Sequence, residues 1–545
     1  MIKHVQRIVL FNIFSLLLLN NPSYALSQPT VQNLSPNRYI FVENNVDHEY
    51  FIVGTTLLPH FTGANVWTKH KGDQDNLGHM GTDTALTTNS NVDMWLSNGT
   101  IKYPFQGVRC RVASGGPCPA VGYMVPEYTD EFGFYKSKVT SGESGGAYSY
   151  ASFAPNAYSY LNSVSLNGTD IFDLNVCSTR EEYNPQQGGR CKDATTGTWR
   201  SYRQTATKIG HIRLNDTKAF SEIWIASDGT PSLAKNNEYC EYVMGALGTV
   251  NQREGIACKM LSYNLQGNTS NFHSGFYIRL KTDNTALKFT PSTYDLQMQT
   301  ANGSWVNYSA ANPVKNMMVS GDGYITVLFS KAFFQKLLNY GSSPNGDGTF
   351  IFEFDNRSVY PYSGLYGFSV TNKTEMIPRE YSISIKPTNS SQSHLEGKIG
   401  QNEPSLKFNY TVTQSAPRKA DVVTAQVIGE KTTVNGQTYC LFKSDDSTTN
   451  VAIPAYLAFT DAALGNIEKY SGCDESQMLD ITNALWTATP WDVNNSGYFY
   501  STSLSLIFPM NNSVSEKTVE GNEWMGSVHA EGDIKVDAKW IGVNN

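Results

Sequence analysis

Gly142-Glu143-Ser144-Gly145-Gly146 is the stretch that could place a nucleophile. It fits the G-x-S-x-G pattern and looks like the nucleophile loop of trypsin-like proteases. A serine nucleophile needs a base, and the base needs an acid to orient it. The upstream histidines are His48, His60, His70 and His79. None lies in a stretch resembling a protease histidine loop, and their spacing to Ser144 is short for that fold. A hydrolase elbow also needs a strand, a sharp turn and a helix on a parallel sheet. Here the flanks, Lys136 to Thr140 and Tyr148 to Phe153, read as the two arms of a β-hairpin. The motif is therefore expected to be a Gly-rich turn, and the chain is not expected to be an enzyme. Asp73, Asp75 and Gly78 occupy the first, third and sixth places of a calcium loop. The fifth and twelfth places hold Leu77 and Thr84, which are unsuitable ligands, so a solvated acidic loop is expected. No CxxC or HxxxH spacing offers a zinc site. No cofactor is expected.

Aromatic rings on loops can stack on sugars or other ligands. In the first third of the chain Trp67, Tyr148, Tyr150 and Tyr160 are candidates for such a platform, with Arg109 and Arg111 as a polar rim. Trp95 follows Met94 within a predicted strand and is expected in the core. Tyr158 falls on the apolar face of a predicted helix.

The elements that would position these groups are mostly strands. Charged residues make up only 16% of the chain, so the bulk is Gly, Ser, Thr, Asn, Tyr and apolar residues, the composition of many strands joined by turns. Lys3 and Arg7, the apolar run Ile8 to Leu19 and then Ser23-Tyr24-Ala25 read as a secretory signal over 1–25. Its removal takes away Lys3 and Arg7 and moves the formal charge from −7 to −9 (−7 − 2). A mildly acidic chain with no basic cluster argues against nucleic acid and anionic membranes. The eight cysteines form local couples: Cys110 with Cys118, Cys177 with Cys191, Cys240 with Cys258 and Cys440 with Cys473. Export favours disulfides, and pairing between sequence neighbours is the simplest scheme, although the spacing alone leaves other pairings open. Each bridge would contribute ~2–4 kcal/mol.

Short strands are expected throughout. Among them are Arg38 to Asn44, Val92 to Leu96, Ile171 to Val176, Phe220 to Ala226, Met260 to Leu265, Tyr324 to Phe329, Tyr381 to Ile385, Leu406 to Thr413 and Ser503 to Phe508. Ala154, Ala157, Tyr158 and Leu161, with Pro155, mark one short helix. Ser330 as cap, Phe333, Phe334, Leu337 and Leu338 on one face, and Gly341 beyond the end mark another. The fold class expected is all-β, in tandem immunoglobulin-like sandwiches over 26–208, 209–387 and 388–545, with the polar stretch Pro387 to Ser393 as the last linker. The final stretch, Val528 to Trp540, alternates strictly. Val528, Ala530, Ile534, Val536, Ala538 and Trp540 stand on one face, and His529, Glu531, Asp533, Lys535, Asp537 and Lys539 on the other. This is a long strand with one dry face. It is either an ordinary last strand or the border of a sheet that a partner completes.

Several blocks, in order along the chain, resemble the tip adhesins of the Escherichia coli common pilus, the EcpD/MatE family. They are Phe41-Val42-Glu43-Asn44-Asn45, Thr62-Gly63-Ala64-Asn65, Asp93-Met94-Trp95-Leu96, Gly189-Arg190-Cys191-Lys192-Asp193, Ser227-Asp228-Gly229-Thr230-Pro231, Tyr381-Ser382-Ile383-Ser384-Ile385, Ser444-Asp445-Asp446 and Thr489-Pro490-Trp491. The stretch between Lys69 and Asn91 departs most. The resemblance implies a chaperone–usher pilus subunit whose last domain lacks a strand, with Val528 to Trp540 bordering the gap. It implies a periplasmic chaperone, an outer-membrane usher, a major pilin subunit and a host-surface receptor, with a glycan as one option, as partners, and self-polymerisation as an open option. It also implies a fimbrium-tip location and roles in host attachment and biofilm formation. An exported hydrolase of surface polymers is the alternative, resting on Ser144 and the aromatic loops.

Overall fold

The computed structural model describes residues 25–543, except 56–59, 67–76, 111–118, 120, 140–147, 218, 234–236, 245–253, 268–276, 343–347, 356–364, 389–393 and 492–495. The predicted leader, Trp67, Asp73, Asp75, Arg111, Cys118, Ser144 and most of the predicted linker therefore lie outside the described residues. Strands account for 54% of the described residues and helix for 6%, which makes the fold all-β. Both predicted helices are present. Pro155–Ser163 buries Ala157, Tyr158 and Leu161. Lys331–Asn339 is capped by the Ser330 hydroxyl, which accepts from Phe333 N at 3.3 Å, and buries Phe333, Phe334 and Leu337. Gly341 follows it at φ +57°, a conformation that a side chain would disfavour.

Three apolar cores are present, but the first two are not separate beads. The strand Asn37–Asn44 pairs with Glu49–Gly54 to form a hairpin that lies between them. Tyr39, Phe41 and Ile52 belong to the first core. Ile40, Val42, Phe51 and Val53 belong to the second. Because side chains alternate along a strand, one hairpin fills both. Beside it runs the strand Thr198–Leu214, parallel to Asn37–Asn44. Its first part pairs with Thr169–Thr179 and its last part with Gly255–Gly267. A register shift at Lys208 to Gly210 marks the change of core, with Tyr202 and Ala206 before it and Ile209, Ile212 and Leu214 after it. The boundary expected between 208 and 209 thus falls inside one continuous strand. The buried Lys208 ammonium donates to the carbonyls of Leu161, Asn162 and Val164 at 3.2, 2.8 and 2.9 Å, satisfying the end of the first helix from this strand.

A strand pairing also crosses the second expected boundary. Ser382–Pro387, assigned by sequence to the middle region, pairs with Leu406–Ala416 in the last unit. The sheet there runs 382–387, 406–416, 498–508, 456–461, 465–470. The middle unit presents to it the outer face of its parallel pair Ala219–Ile225 and Asn372–Pro378. Trp224 is fully buried there, 5.3 Å from the ring of Phe499. The Arg379 guanidinium lies 4.4 Å over the Trp491 ring. Glu222, also fully buried, takes the Ser384 hydroxyl and the Lys386 ammonium, the latter at 3.1 Å.

Glu375 stands directly opposite Glu222 across this pair of strands. Burial first, and the Glu222 carboxylate second, push its carboxyl up to about 7, while Lys373 opposes the rise. An acid raised above its unfolded value holds its proton longer in the folded state. Its contribution therefore falls as pH rises from about 4.5 to about 7. His211 acts in the opposite sense. Burial, then Lys208 and Arg213, hold it down to about 4, so its contribution is lost as pH falls from about 6.5 to about 4. Glu375→Gln is expected to remove only the first term. The difference in melting temperature between variant and wild type should grow from pH 5 to pH 7.5, in favour of the variant. A difference that stays flat over that range would refute the assignment.

Among the described residues three disulfides are complete, Cys177–Cys191, Cys240–Cys258 and Cys440–Cys473, with Cα atoms 5.8, 4.1 and 5.0 Å apart. Cys110 is also disulfide-bonded. Its expected partner, Cys118, lies outside the described residues.

Candidate functional site

The last unit carries an open apolar surface. The terminal strand is Gly532–Lys539, shorter than the alternation from Val528 to Trp540 suggested. Residues before Gly532 bridge a different neighbour, for His529 and Lys443 exchange backbone hydrogen bonds of 2.9 Å. Alternation persists across the change of partner, which is why the sequence reads as one strand. Gly532 sits where a Cβ would approach Ile428 O at 2.6 Å, so the close pass between strands requires a glycine. One edge of the terminal strand pairs with Val422–Gly429. The other edge has no backbone partner among the described residues. The same holds for one edge of Leu406 to Phe408, because Ser382–Pro387 covers that strand only from Tyr410 onward.

Between these edges lies a furrow of about 1550 Å³. Leu406, Phe408 and Tyr410 line it from one side, Val528, Ala530 and Ile534 from another, with Phe442 and Phe508 also in its wall. The predicted border residues therefore divide. Val528, Ala530 and Ile534 line the furrow, although Ala530 is exposed. Val536, Ala538 and Trp540 are half-buried against the core beyond its end. There Trp540 packs edge-on to Tyr381 at 5.8 Å and donates to Arg418 O at 3.0 Å. The contribution of Leu406, Phe408 and Tyr410 was missed by sequence reading, though their alternation with Lys407 and Asn409 carries the same signal.

The expected aromatic platform of the first unit is not assembled among the described residues. Tyr150 is 2% exposed, its hydroxyl donates to Asp83, and the Arg109 guanidinium lies 5.4 Å over its ring. Arg109 itself is 5% exposed, so neither residue offers the surface expected of it. Their strands, Phe105–Arg109 and Tyr148–Phe153, pair with each other, and both side chains lie on a buried face. Tyr160 is half-buried on the first helix and donates to Asp170 Oδ1 at 2.9 Å, which with burial pushes its hydroxyl up to about 12. The backbone of Tyr148 pairs with Ala85, while its side chain, Trp67 and Arg111 lie outside the described residues. Trp95, expected in the core, is half-buried on the outer sheet face, 5.8 Å from the ring of Trp199. Tyr158 is buried, as its helix face implied. Among the described residues no group of His, Cys, Asp and Glu is arranged to hold a metal, and no helix is long and apolar enough to cross a membrane.

The chain is thus all-β, in joined units, and ends in a sheet with an apolar furrow between unpaired edges. Comparison with known sequences makes this specific. The N-terminal, middle and C-terminal domain models of the E. coli common pilus adhesin EcpD match residues 26–212, 216–373 and 380–538. Fimbria adhesin EcpD of E. coli O18:K1:H7 strain IHE3034 is 36% identical over 535 residues, covering 95% of this chain and 96% of the relative. That of strain K12 is 35% identical over the same span. The chain belongs to the EcpD family of common pilus adhesins. Solved structures are more distant. A chaperone–tip adhesin complex of CFA/I fimbriae covers 60% of this chain and 86% of its own at 11% identity and a TM-score of 0.19, too low to add to the family assignment. The family is one of adhesins rather than enzymes, and the hydrolase alternative is not supported.

Proposed function

We propose that this chain is the tip adhesin of a chaperone–usher fimbria and that its last unit is completed by a strand from another subunit. The single observation behind this reading is the apolar furrow between the unpaired edges of Gly532–Lys539 and Leu406 to Phe408. An extended segment laid there would gain backbone hydrogen bonds from an edge and bury alternate side chains in the furrow. In transit through the periplasm the occupant would be a chaperone strand, exchanged at an outer-membrane usher for the donor strand of the major pilin. An exposed edge left empty invites aggregation, which gives the chaperone its purpose. Serial donation between copies of this chain would be a self-polymerising route, and head-to-tail donation gives open filaments.

Adhesion to a host-surface receptor, and through it biofilm formation, is assigned to the first unit. The support is the departure of Lys69 to Asn91 from the family pattern. Trp67, Tyr148 and Arg111 stay as receptor candidates, and Tyr160 as a weaker one. Three units are proposed, the first two sharing the strand Thr198–Leu214 and the last starting at Ser382.

Addition of a synthetic donor-strand peptide, copied from a partner subunit of the same fimbria, to the purified chain is expected to raise the melting temperature of the last unit. At a free concentration 100 times Kd the stabilisation is about 2.7 kcal/mol. A last unit that is monomeric, stable and indifferent to donor peptides and chaperone alike would defeat the strand-donation reading.

A further inference from the structure

The furrow of the last unit is apolar in its walls but not neutral at its rim. Glu516, Glu531 and Asp533 all line it and all are exposed. None of the three enters an ion pair among the described residues. Of the nearby cations only Lys398 has no carboxylate partner among the described residues, and it offsets one charge of the rim. Lys443 pairs with Glu430, Lys535 with Asp537 at 2.9 Å, and the His529 ring stands 3.3 Å from Asp445. Glu396, also in the lining, has only the exposed His394 beside it at 3.3 Å. Lys398 is the one lysine in the lining apart from these carboxylates. The rim therefore carries uncompensated negative charge around an apolar slot, with Glu531 and Asp533 flanking Gly532, where the terminal strand begins.

We infer that the furrow selects an extended partner segment that is apolar at alternate positions and basic at the end lying beside Glu531 and Asp533. This rests on the strand-donation reading and adds to it the chemistry of the partner. The apolar walls supply most of the affinity and cannot by themselves distinguish one greasy strand from another. Charge at a rim chiefly governs encounter rate and partner choice. An acidic segment would place like charges beside carboxylates that have no counter-ion, which disfavours it. These exposed groups are screened by salt, over about 10 Å at 0.1 M and about 3 Å at 1 M.

The test uses the full mature chain and three synthetic strand peptides sharing one alternating Val/Leu core. They carry two lysines, two glutamates or two serines at one end, and each is made in both chain directions. The expected result at 0.1 M salt is that one lysine peptide binds about tenfold tighter than its glutamate counterpart, from several exposed pairs each worth a small factor. Most of that ratio should vanish at 1 M salt. It should vanish likewise in the triple variant Glu516→Gln, Glu531→Gln, Asp533→Asn, which removes no buried group and keeps the affinity for the serine peptide. Equal binding of the three peptides at low salt overturns the charge inference and leaves strand donation standing. Failure of all three to bind or to raise the melting temperature overturns both. A peptide-resistant dimer in light scattering would show that a second copy occupies the furrow, which also overturns the inference.

Discussion

Truncating Phe51 to alanine will destabilise the first two units together. Phe51 is fully buried on the second-core face of its strand, 5.2 Å from the ring of Tyr366, while its neighbour Ile52 serves the first core. Removing a large buried ring costs ~3–5 kcal/mol from lost burial and the cavity left behind. The cost cannot stay in one unit. Loosening the hairpin on one face releases Tyr39, Phe41 and Ile52 on the other. It also frees the parallel partner of Thr198–Leu214. Further ties cross the same seam, from Thr62 Oγ1 to the Tyr366 hydroxyl at 3.0 Å and from Ser369 N to Asp47 at 2.8 Å. Calorimetry of the variant should show one lowered transition for both cores beside a little-changed transition for the last unit. If the first core keeps its melting temperature while the second loses several degrees, the shared hairpin is not a coupling element.

The second large effect is expected at the joint with the last unit. Lys386→Met would leave the Glu222 carboxylate without its cation in a site with no solvent exposure. Breaking a buried pair by removing one partner costs ~3–5 kcal/mol, because the remaining charge is uncompensated. Ser384 would still donate to Glu222, so the loss falls toward the lower end of that range. The double variant Lys386→Met, Glu222→Gln should recover much of the stability, since the charge itself is gone. Limited proteolysis between Arg379 and Tyr381 provides the readout. Cleavage there should accelerate in the single variant and slow again in the double. Equal cleavage in wild type and single variant would show that the pair does not hold the joint.

The local features of the fold were legible where one residue type has one physical role. Ser330, the Phe333–Leu337 face and Gly341 specify a helix from capping and periodicity alone. Export and proximity fitted the three cysteine couples that the structure describes in full. The boundary at 208 was not legible. Tyr39 to Val42 and Phe51 to Val53 are unbroken apolar runs, and such a run records burial on both faces without saying whose core lies on each. The pairing of Ser382–Pro387 with the last unit was not legible for a related reason. Most of the polar stretch after Pro387 lies outside the described residues, and nothing local to Ser382–Pro387 names Leu406–Ala416 as its partner. The furrow was half legible. The alternation from Val528 to Trp540 marked one border, but which part stays open depends on where Tyr381 meets Trp540, a contact distant in sequence. Tyr150 and Arg109 misled because a tyrosine in a Gly-rich region reads as a loop ring whether it faces out or in.

The continuous strand Thr198–Leu214 has a mechanical consequence for the tip-adhesin role proposed above. Tension entering through the first unit and leaving through the last must cross from one core to the next. In a string of independent modules that crossing is a linker. Here the strand is a single spar, held by ten register pairs with Thr169–Thr179 on one stretch and by Gly255–Gly267 on the next. Traction along its length loads those bonds in shear, all at once. The short crossing from Pro378 to Ser382, clasped by Arg379 over Trp491 and Tyr381 against Trp540, then carries that load into the last unit.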